Sequence, residues 1–128
     1  MMTLCDTNII IDFLKNRPAA INELERIGTK NLCVSVVTQA ELIFGALNKA
    51  DLAFILKGIS GLSVLPVEPT IGAAAVSLMV QFSLSHRLAL PDALIAATAL
   101  HHDLPLYTLN LKDFRYIPGL RLHPPATA

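Results

Sequence analysis

Aromatic residues make up only 5% of the 128-residue chain, and none of them is tryptophan. Stacking of bases on aromatic side chains is therefore a poor basis for nucleic-acid binding by this protein. An excess of positive charge is missing as well, because ten Lys and Arg residues balance ten Asp and Glu residues. A domain that held nucleic acid by a basic surface alone would be far more basic, so that mode of binding is disfavoured.

Cysteines and long apolar runs are also scarce. The two cysteines, Cys5 and Cys33, lie in apolar runs and do not form a disulfide framework. Thiols in such runs behave as small hydrophobic groups, and we expect a reducing, cytoplasmic location. The longest nearly apolar stretch, Ile71 to Val80, is too short to span a bilayer, which needs about 20 residues. The sequence therefore predicts no membrane association.

Short apolar runs alternate with helical patterns along the chain. We predict strands at Thr3 to Cys5, Leu32 to Val37, Leu62 to Val67, Leu106 to Thr108 and Leu120 to Leu122. Apolar strands separated by helices are typical of a parallel sheet covered on both faces, here in a single domain over residues 1–128. Ligands of such folds bind outside the carboxyl ends of the strands.

Four of the ten acids fall just beyond predicted strands or at the start of a helix. Asp6 follows the first strand in LCDTN, Glu41 follows the second in VSVVTQAEL, Asp92 opens a helix in LALPDAL, and Asp113 follows a later strand in LYTLNLKDF. Gathered carboxylates repel one another unless a cation neutralises them, and their oxygens suit Mg²⁺ or Mn²⁺. A carboxylate cluster holding such ions is typical of phosphodiester hydrolysis.

Each acid also has an interpretation as a helix cap. The residue after the first strand can cap the first helix, and Thr38-x-x-Glu41 matches a capping box. Asp92 suits a first helical turn for its dipole alone, and Asn110-x-x-Asp113 can cap one short turn. Capping does not explain why the acids gather at one edge of the sheet, and this joint placement favours a site.

Other candidate sites have less support. His101 and His102 end a predicted helix, where imidazole suits the helix dipole, and no cysteine or second histidine cluster supports a metal role. Asp12 lies six residues after Asp6 and points away from it on a helix. The sequence contains no G-x-S-x-G, G-x-G-x-x-G or Walker motif, which disfavours a serine hydrolase and a nucleotide-binding protein.

Together, the motifs LCDTNIIIDFL, VVTQAELIFGAL, LPDALIAATAL and YTLNLKDF resemble those of PIN-domain ribonucleases in order and spacing. The short chain is similar to the VapC-type toxins of toxin–antitoxin pairs, from about Leu4 to Leu122. The resemblance implies a three-layer α/β/α fold with a central parallel sheet of four to five strands. It also implies endoribonuclease activity that depends on Mg²⁺ or Mn²⁺, inhibition by a VapB-type antitoxin, and a homodimer or toxin–antitoxin hetero-oligomer.

The resemblance also assigns roles to residues by position. Asp6, Glu41 and Asp92 match the three core acids, and Asp113 matches a fourth, outer acid. Asp6 and Asp92, with Asp113, would hold the ion, and Glu41 would position or deprotonate the attacking water or help to hold the ion. The supporting polar positions of the motifs are matched by Thr7, Asn8, Thr108 and Asn110. Asn110 stands where some relatives carry an acid.

Two surfaces are expected around this cluster. Four basic residues are candidates for binding RNA: Lys15, Arg17, Lys112 and Arg115. An ordinary solvated surface charge is an equal alternative for each of them. Because the chain is more apolar than a small monomer needs, we expect an antitoxin groove or a dimer contact. The side chains expected to line it are Phe44, Leu47, Leu52 and Ile55.

Three rival functions have less support in the sequence than a ribonuclease. A catalytically inactive PIN-like interaction module is disfavoured by the complete set of acids. A phosphoacceptor receiver domain needs an acceptor Asp after the middle strand, where this chain has Glu68 and Pro69. A small DNA nuclease would use the same acids, but such enzymes usually carry additional DNA-binding segments.

Overall fold

The computed structural model describes residues 2–124. Its elements, in chain order, are β1 (Thr3–Cys5), α1 (Thr7–Leu14), α2 (Pro18–Ile27), β2 (Leu32–Ser35), α3 (Val36–Phe44), α4 (Lys49–Ile59), β3 (Ser63–Leu65), α5 (Pro69–His86), α6 (Leu90–His101) and β4 (Leu106–Tyr107). Short 3₁₀ helices occupy Thr29–Asn31 and Leu111–Asp113. The alternation of strands and helices agrees with the α/β class predicted from the sequence.

The four strands form one parallel sheet in the order β3-β2-β1-β4. Leu4 of β1 pairs with Cys33 of β2 on one side and with Leu106 of β4 on the other. The fifth strand predicted at Leu120 to Leu122 is reduced to a single parallel bridge between Leu106 and Leu122. Since all strands run in the same direction, the residues that follow β1, β2 and β4 lie at one edge.

Both faces of the sheet are covered by helices, as the sequence predicts for a three-layer fold. Successive residues of a strand face opposite sides, so Leu4 and Cys5 enter different cores. Leu4 joins a cluster with α5 and α6 residues, whereas Cys5 joins one with residues of α1, α2, α3 and α4. Burial raises the pKa of the Cys5 thiol to about 12 and that of the Cys33 thiol to about 11, so both are uncharged apolar groups at neutral pH.

The strand β2 ends earlier than its run of β-branched residues suggests. LCVSVV predicts a strand to Val37, but Ser35 is the N-cap of α3 and its Oγ accepts a hydrogen bond of 3.0 Å from the Val37 amide. Thr38 and Glu41 consequently lie inside α3, and the capping box suggested by their spacing does not form. The early start of the helix positions Glu41 two turns after the edge of the sheet.

The longest helix, α5, carries an exposed apolar stripe. Val76, Val80 and Leu84 are spaced four residues apart and are 57%, 80% and 97% exposed.

Within residues 2–124, no helix combines the length and apolar character that crossing a membrane requires.

Candidate active site

Asp6 lies directly after β1 and is 5% exposed. As the N-cap of α1, it accepts a hydrogen bond of 2.7 Å at Oδ1 from the Thr7 amide. Its second oxygen, Oδ2, accepts 2.8 Å from the Thr108 hydroxyl. Asp6 is therefore both a cap and the buried centre of the acid cluster, so the two interpretations of this residue are compatible.

Thr108 connects the end of β4 to Asp6. Its Oγ1 accepts a hydrogen bond of 3.1 Å from the Asn110 amide and a longer one of 3.5 Å from Asn8 Nδ2. The Asn8 Oδ1 in turn accepts from the Leu109 amide at 3.3 Å. These contacts fix the hydroxyl of Thr108 so that its one proton points at Asp6. Asn110 contributes its backbone here, and its side chain makes no cap hydrogen bond to the following 3₁₀ helix.

Thr7 links Glu41 to the same edge. Its hydroxyl donates 2.7 Å to Glu41 Oε1, and its oxygen lies 3.0 Å from the hydroxyl oxygen of Thr38. Because one hydroxyl carries one proton, Thr38 completes this chain by donating to Thr7. Glu41 is exposed, so its second carboxylate oxygen is accessible from solvent.

Asp92 stands in the first turn of α6 and is half-buried. Burial, followed by the negative charges of Asp6, Asp113 and Glu41, raises its pKa from 3.8 to about 6. The pKa of Asp6 is raised as well, first by burial and also by Glu41 and Asp113, although its hydrogen bonds from Thr108 and Thr7 oppose the rise. The structure thus brings all four predicted acids within electrostatic reach of one another.

Within residues 2–124, none of the four acids forms an ion pair with a Lys, Arg or His. Neither Asp6 nor Asp92 has a Lys, Arg or His among the groups that shift its pKa. No three of the four acids bring carboxylate oxygens within 4.8 Å of one another, as expected of groups that repel. An all-oxygen set of three to four carboxylates is nevertheless the donor chemistry of Mg²⁺ and Mn²⁺, and these residues fit such an ion.

The four cations predicted to bind RNA lie at the ends of helices or beside Asp113. Lys15 follows α1 and Arg17 precedes α2, while Lys112 and Arg115 flank Asp113. All four are exposed, and within residues 2–124 none of them forms an ion pair. Their role in binding RNA remains a prediction.

A groove of about 420 Å³ lies between α1, α3 and α4, next to Glu41. Its lining residues are Ile11, Leu14, Lys15, Glu41, Leu42, Gly45, Leu47, Asp51 and Ile55. Of the four apolar residues expected to line a groove, Leu47 and Ile55 do so, whereas Phe44 and Leu52 lie outside the lining. Phe44 is 92% exposed and Leu47 is 87% exposed, so the apolar surface extends beyond the groove.

Two further residues at this edge have roles that the sequence did not indicate. Thr38, which the sequence suggested only as part of a capping box, is fully buried and bonds to Thr7. Tyr116 lies close enough to Asp92 and Asp113 that these charges, after burial, raise its pKa. Its ring stacks on His86 at 3.8 Å, which ties the end of α5 to the site.

Comparison with known proteins identifies the family and several related chains. Residues 3–120 match the PIN domain family. A tRNA(fMet)-specific endonuclease VapC of Salmonella typhimurium is 32% identical over 124 residues, covering 93% of this chain and 94% of that protein. A toxin–antitoxin complex from Klebsiella pneumoniae contains a chain with 34% identity and a TM-score of 0.78, covering 92% and 94%. The DNA-bound VapBC of Salmonella typhimurium gives 31% identity and a TM-score of 0.83, covering 96% and 98%.

Proposed function

The chain belongs to the PIN-domain family, and from that premise we propose that it is the metal-dependent endoribonuclease toxin of a toxin–antitoxin pair. The observation that carries this proposal is the cluster of four acids, none of which has an ion pair in the described part of the chain, and in which the pKa of Asp92 rises to about 6. Carboxylates that repel one another do not stabilise the fold, whereas a group of carboxylates is what binds a divalent ion such as Mg²⁺.

The residues that would hold the ion are Asp6 and Asp92, with Asp113 as an outer ligand. When bound, Mg²⁺ or Mn²⁺ supplies Lewis-acid chemistry, which lowers the pKa of water and neutralises charge on the scissile phosphate. Asp6 is fixed for this role because Thr7 and Thr108 hold its two oxygens. Asp113 is exposed and lies on a 3₁₀ helix, which suits a weaker contribution.

Glu41 is the residue best placed to act on the attacking water. Thr7 holds one of its oxygens, and exposure leaves the other free to orient the water or to accept its proton. Attack on the phosphorus in line with the leaving group would leave a 5′-phosphate and a 3′-hydroxyl. Lys15, Arg17, Lys112 and Arg115 would bind the flanking phosphates of the RNA. Two buried, uncharged thiols support a reducing cytoplasm as the location.

The groove beside Glu41 is the proposed binding site of a VapB-type antitoxin. Its apolar lining fits the apolar face of a helix, and Glu41 and Asp51 offer partners to cations of that helix. An antitoxin Arg or Lys that reached Glu41 would compensate the charge of the acid cluster and compete with the ion. The exposed stripe Val76, Val80 and Leu84 of α5 lies on a different helix and is the proposed contact for a homodimer.

Cleavage of RNA by the purified chain tests the catalytic part of this proposal. We expect cleavage with Mg²⁺ or Mn²⁺, none with excess chelator, and none in Asp6→Asn, in which the amide still caps α1. Asp103→Asn is the matched control, because Asp103 is a 92% exposed acid paired with Arg121. Equal cleavage by Asp6→Asn and the parent would show that the assigned site is wrong, and cleavage of DNA alone would favour a DNA nuclease.

Two substitutions that place a charge at an exposed apolar position test antitoxin binding and dimer formation. Leu47→Glu should weaken binding of a co-expressed VapB-type antitoxin, because Leu47 lines the groove and is 87% exposed. Co-purification measures this binding, and the size of the free chain should not change. Leu84→Glu should convert a free dimer to a monomer, measured by light scattering. A free chain that is already monomeric would contradict the dimer contact on α5, and antitoxin binding unaffected by Leu47→Glu would contradict the groove.

A further inference from the structure

A second cluster of metal-ligating side chains lies where α5 begins and α6 ends. Glu68 is the N-cap of α5, His101 is the last residue of α6, and His102 is the C-cap of that helix. One carboxylate oxygen of Glu68 and one ring nitrogen of each histidine lie within 4.8 Å of one another, the one such group of three among residues 2–124. His101 is nine residues beyond Asp92 on α6, or about 14 Å along the helix, so this cluster is separate from the acids.

The end of α6 is what lets two consecutive histidines converge. Neighbouring residues within a helix point about 100° apart, but His102 has left helical geometry at φ −93° and ψ 1°. The two rings therefore lie edge to face with centroids 4.8 Å apart. Nε2 of His101 contacts Oε2 of Glu68 at 3.0 Å.

One histidine of this cluster has an unused nitrogen. Nε2 of His102 is buried and has no hydrogen-bond partner among residues 2–124. A buried polar atom without a partner is rare and costs free energy, so a ring held in this way needs a reason. A salt bridge between Glu68 and His101 alone gives no account of His102, whereas a shared cation uses all three side chains.

The electrostatic setting favours a cation at this point. The carbonyl groups at the end of α6 carry the negative end of the helix dipole, and Glu68 adds a full negative charge. The guanidinium of Arg121 is hydrogen-bonded to the carbonyl and carboxylate of Asp103, the residue that follows His102. Its charge is thereby compensated and does not oppose an ion beside His102.

We propose that Glu68, His101 and His102 bind a divalent ion of the zinc class. Two imidazole nitrogens and one carboxylate oxygen suit Zn²⁺, Co²⁺ or Ni²⁺ and not Mg²⁺, which separates this site from the acid cluster by chemistry as well as by place. His101 and Glu68 are 34% and 45% exposed, which gives an ion access and leaves a fourth position for water. Ligand atoms in a tetrahedral zinc site lie about 3.3 Å apart, so binding draws the three side chains closer. The ion joins the start of α5 to the end of α6 and stabilises that pair.

The test is a zinc titration of the chain without a polyhistidine tag, since such a tag binds the same ions. It uses the Asp92→Asn variant, which weakens the acid cluster. Calorimetry should give one zinc ion per chain, and Tm should rise by about 10 °C at free zinc a hundred times the Kd. Glu68→Gln and His101→Gln, introduced separately, should each reduce zinc affinity at least tenfold and abolish most of the rise in Tm. Mg²⁺ should not reproduce it.

His86→Gln is the matched control, because it removes an exposed histidine that stacks on Tyr116 and lies outside the cluster. It should retain the full zinc response. The proposal is overturned by an absence of zinc binding, by a zinc response that Glu68→Gln and His101→Gln leave intact, or by equal losses in His86→Gln. Should a histidine variant fail to fold, Glu68→Gln decides, because its side chain is partly exposed and keeps its shape.

Discussion

Glu23 on α2 and Asp92 at the start of α6 are carboxylates with opposite electrostatic surroundings. Arg26 holds both oxygens of Glu23, and His123 contacts one of them. These hydrogen bonds, Arg26 before His123, lower the pKa of Glu23 to about 2 although burial opposes the change. At Asp92, burial and three like charges act in the same direction and raise the pKa to about 6.

This difference in pKa distinguishes a carboxylate that stabilises the fold from one that is available to bind a ligand. Glu23 ties α2 to His123, a residue 100 positions away that follows the bridge to β4. Its charge is compensated within the chain, so it needs no ligand. By contrast, Asp6, Glu41, Asp92 and Asp113 form no ion pair with any described residue, and the proposed ion would compensate their charges. The same change from carboxylate to amide should therefore have opposite effects on stability at the two places.

The largest expected effect is that of Asp92→Asn on cleavage. The rate should fall by more than the roughly 10- to 100-fold typical of residues that only support metal ligands. Without metal, stability at neutral pH should be unchanged or rise by about 1 kcal/mol, because one of four repelling charges is gone. RNA cleavage and urea unfolding measure the two quantities. A variant that lost activity by unfolding would contradict the comparison.

Glu23→Gln should have the opposite profile. We expect a loss of about 1–3 kcal/mol in the free energy of unfolding, because a nearly buried charge partner of Arg26 and His123 is removed. Cleavage per folded molecule should stay within about twofold of the parent, since Glu23 is not part of the acid cluster. Glu25→Gln, an exposed acid on the same helix, is the matched control for unfolding. Equal stability of Glu23→Gln and Glu25→Gln would show that the contacts of Glu23 with Arg26 and His123 do not stabilise the fold.

Within the acid cluster, Asp113→Asn should cost less than Asp6→Asn. Asp6 is buried and held at both oxygens, whereas Asp113 is exposed, so we expect Asp113→Asn to reduce rate and Mg²⁺ affinity by about tenfold only. Rates measured over a range of Mg²⁺ concentrations compare the two variants. Equal, complete loss in both would place Asp113 among the direct ligands, and no loss would leave it without a catalytic role.

Three of the four acids in the cluster were predictable from sequence because they follow apolar strands, whereas Asp92 opens a helix. Parallel strands end at one edge, so Asp6, Glu41 and Asp113 had to approach one another once the strands were recognised. The boundaries were harder to predict, because Val36 and Val37 suit a strand as well as a buried helix and only the cap at Ser35 decides between them.

Contacts between distant segments were beyond the sequence. Nothing in the spacing of Glu23 and His123 indicates that they meet, since their approach depends on how the last segment returns to β4. The same holds for Glu68 and the two histidines, which come together only because α5 and α6 pack against each other. The sequence interpretation of His101 and His102 as helix-end residues was confirmed, but it lacked the carboxylate of Glu68.

The smallest expected effect is the pH dependence of stability in a chelator, and it distinguishes the two carboxylates by sign. The pKa of Asp92 is higher in the folded chain, about 6 against 3.8, so the folded state binds the proton more tightly. Its contribution to stability is thus present at acid pH and falls as pH rises from about 4 to about 6, by about 1 kcal/mol for a half-exposed group. Glu23 has a lower pKa when folded, about 2 against 4.5, so its contribution is present above pH 4.5 and is lost as pH falls towards 2.

Urea unfolding between pH 3 and pH 7 measures both contributions. Asp92→Asn should lose less stability than the parent as pH rises above 4, and Glu23→Gln should lose less stability than the parent as pH falls below 4.5. Saturating Mg²⁺ should remove the decline in the parent, because the ion competes with the proton for Asp92. Parallel curves for Asp92→Asn and the parent between pH 4 and pH 6 would show that the cluster is not under electrostatic strain.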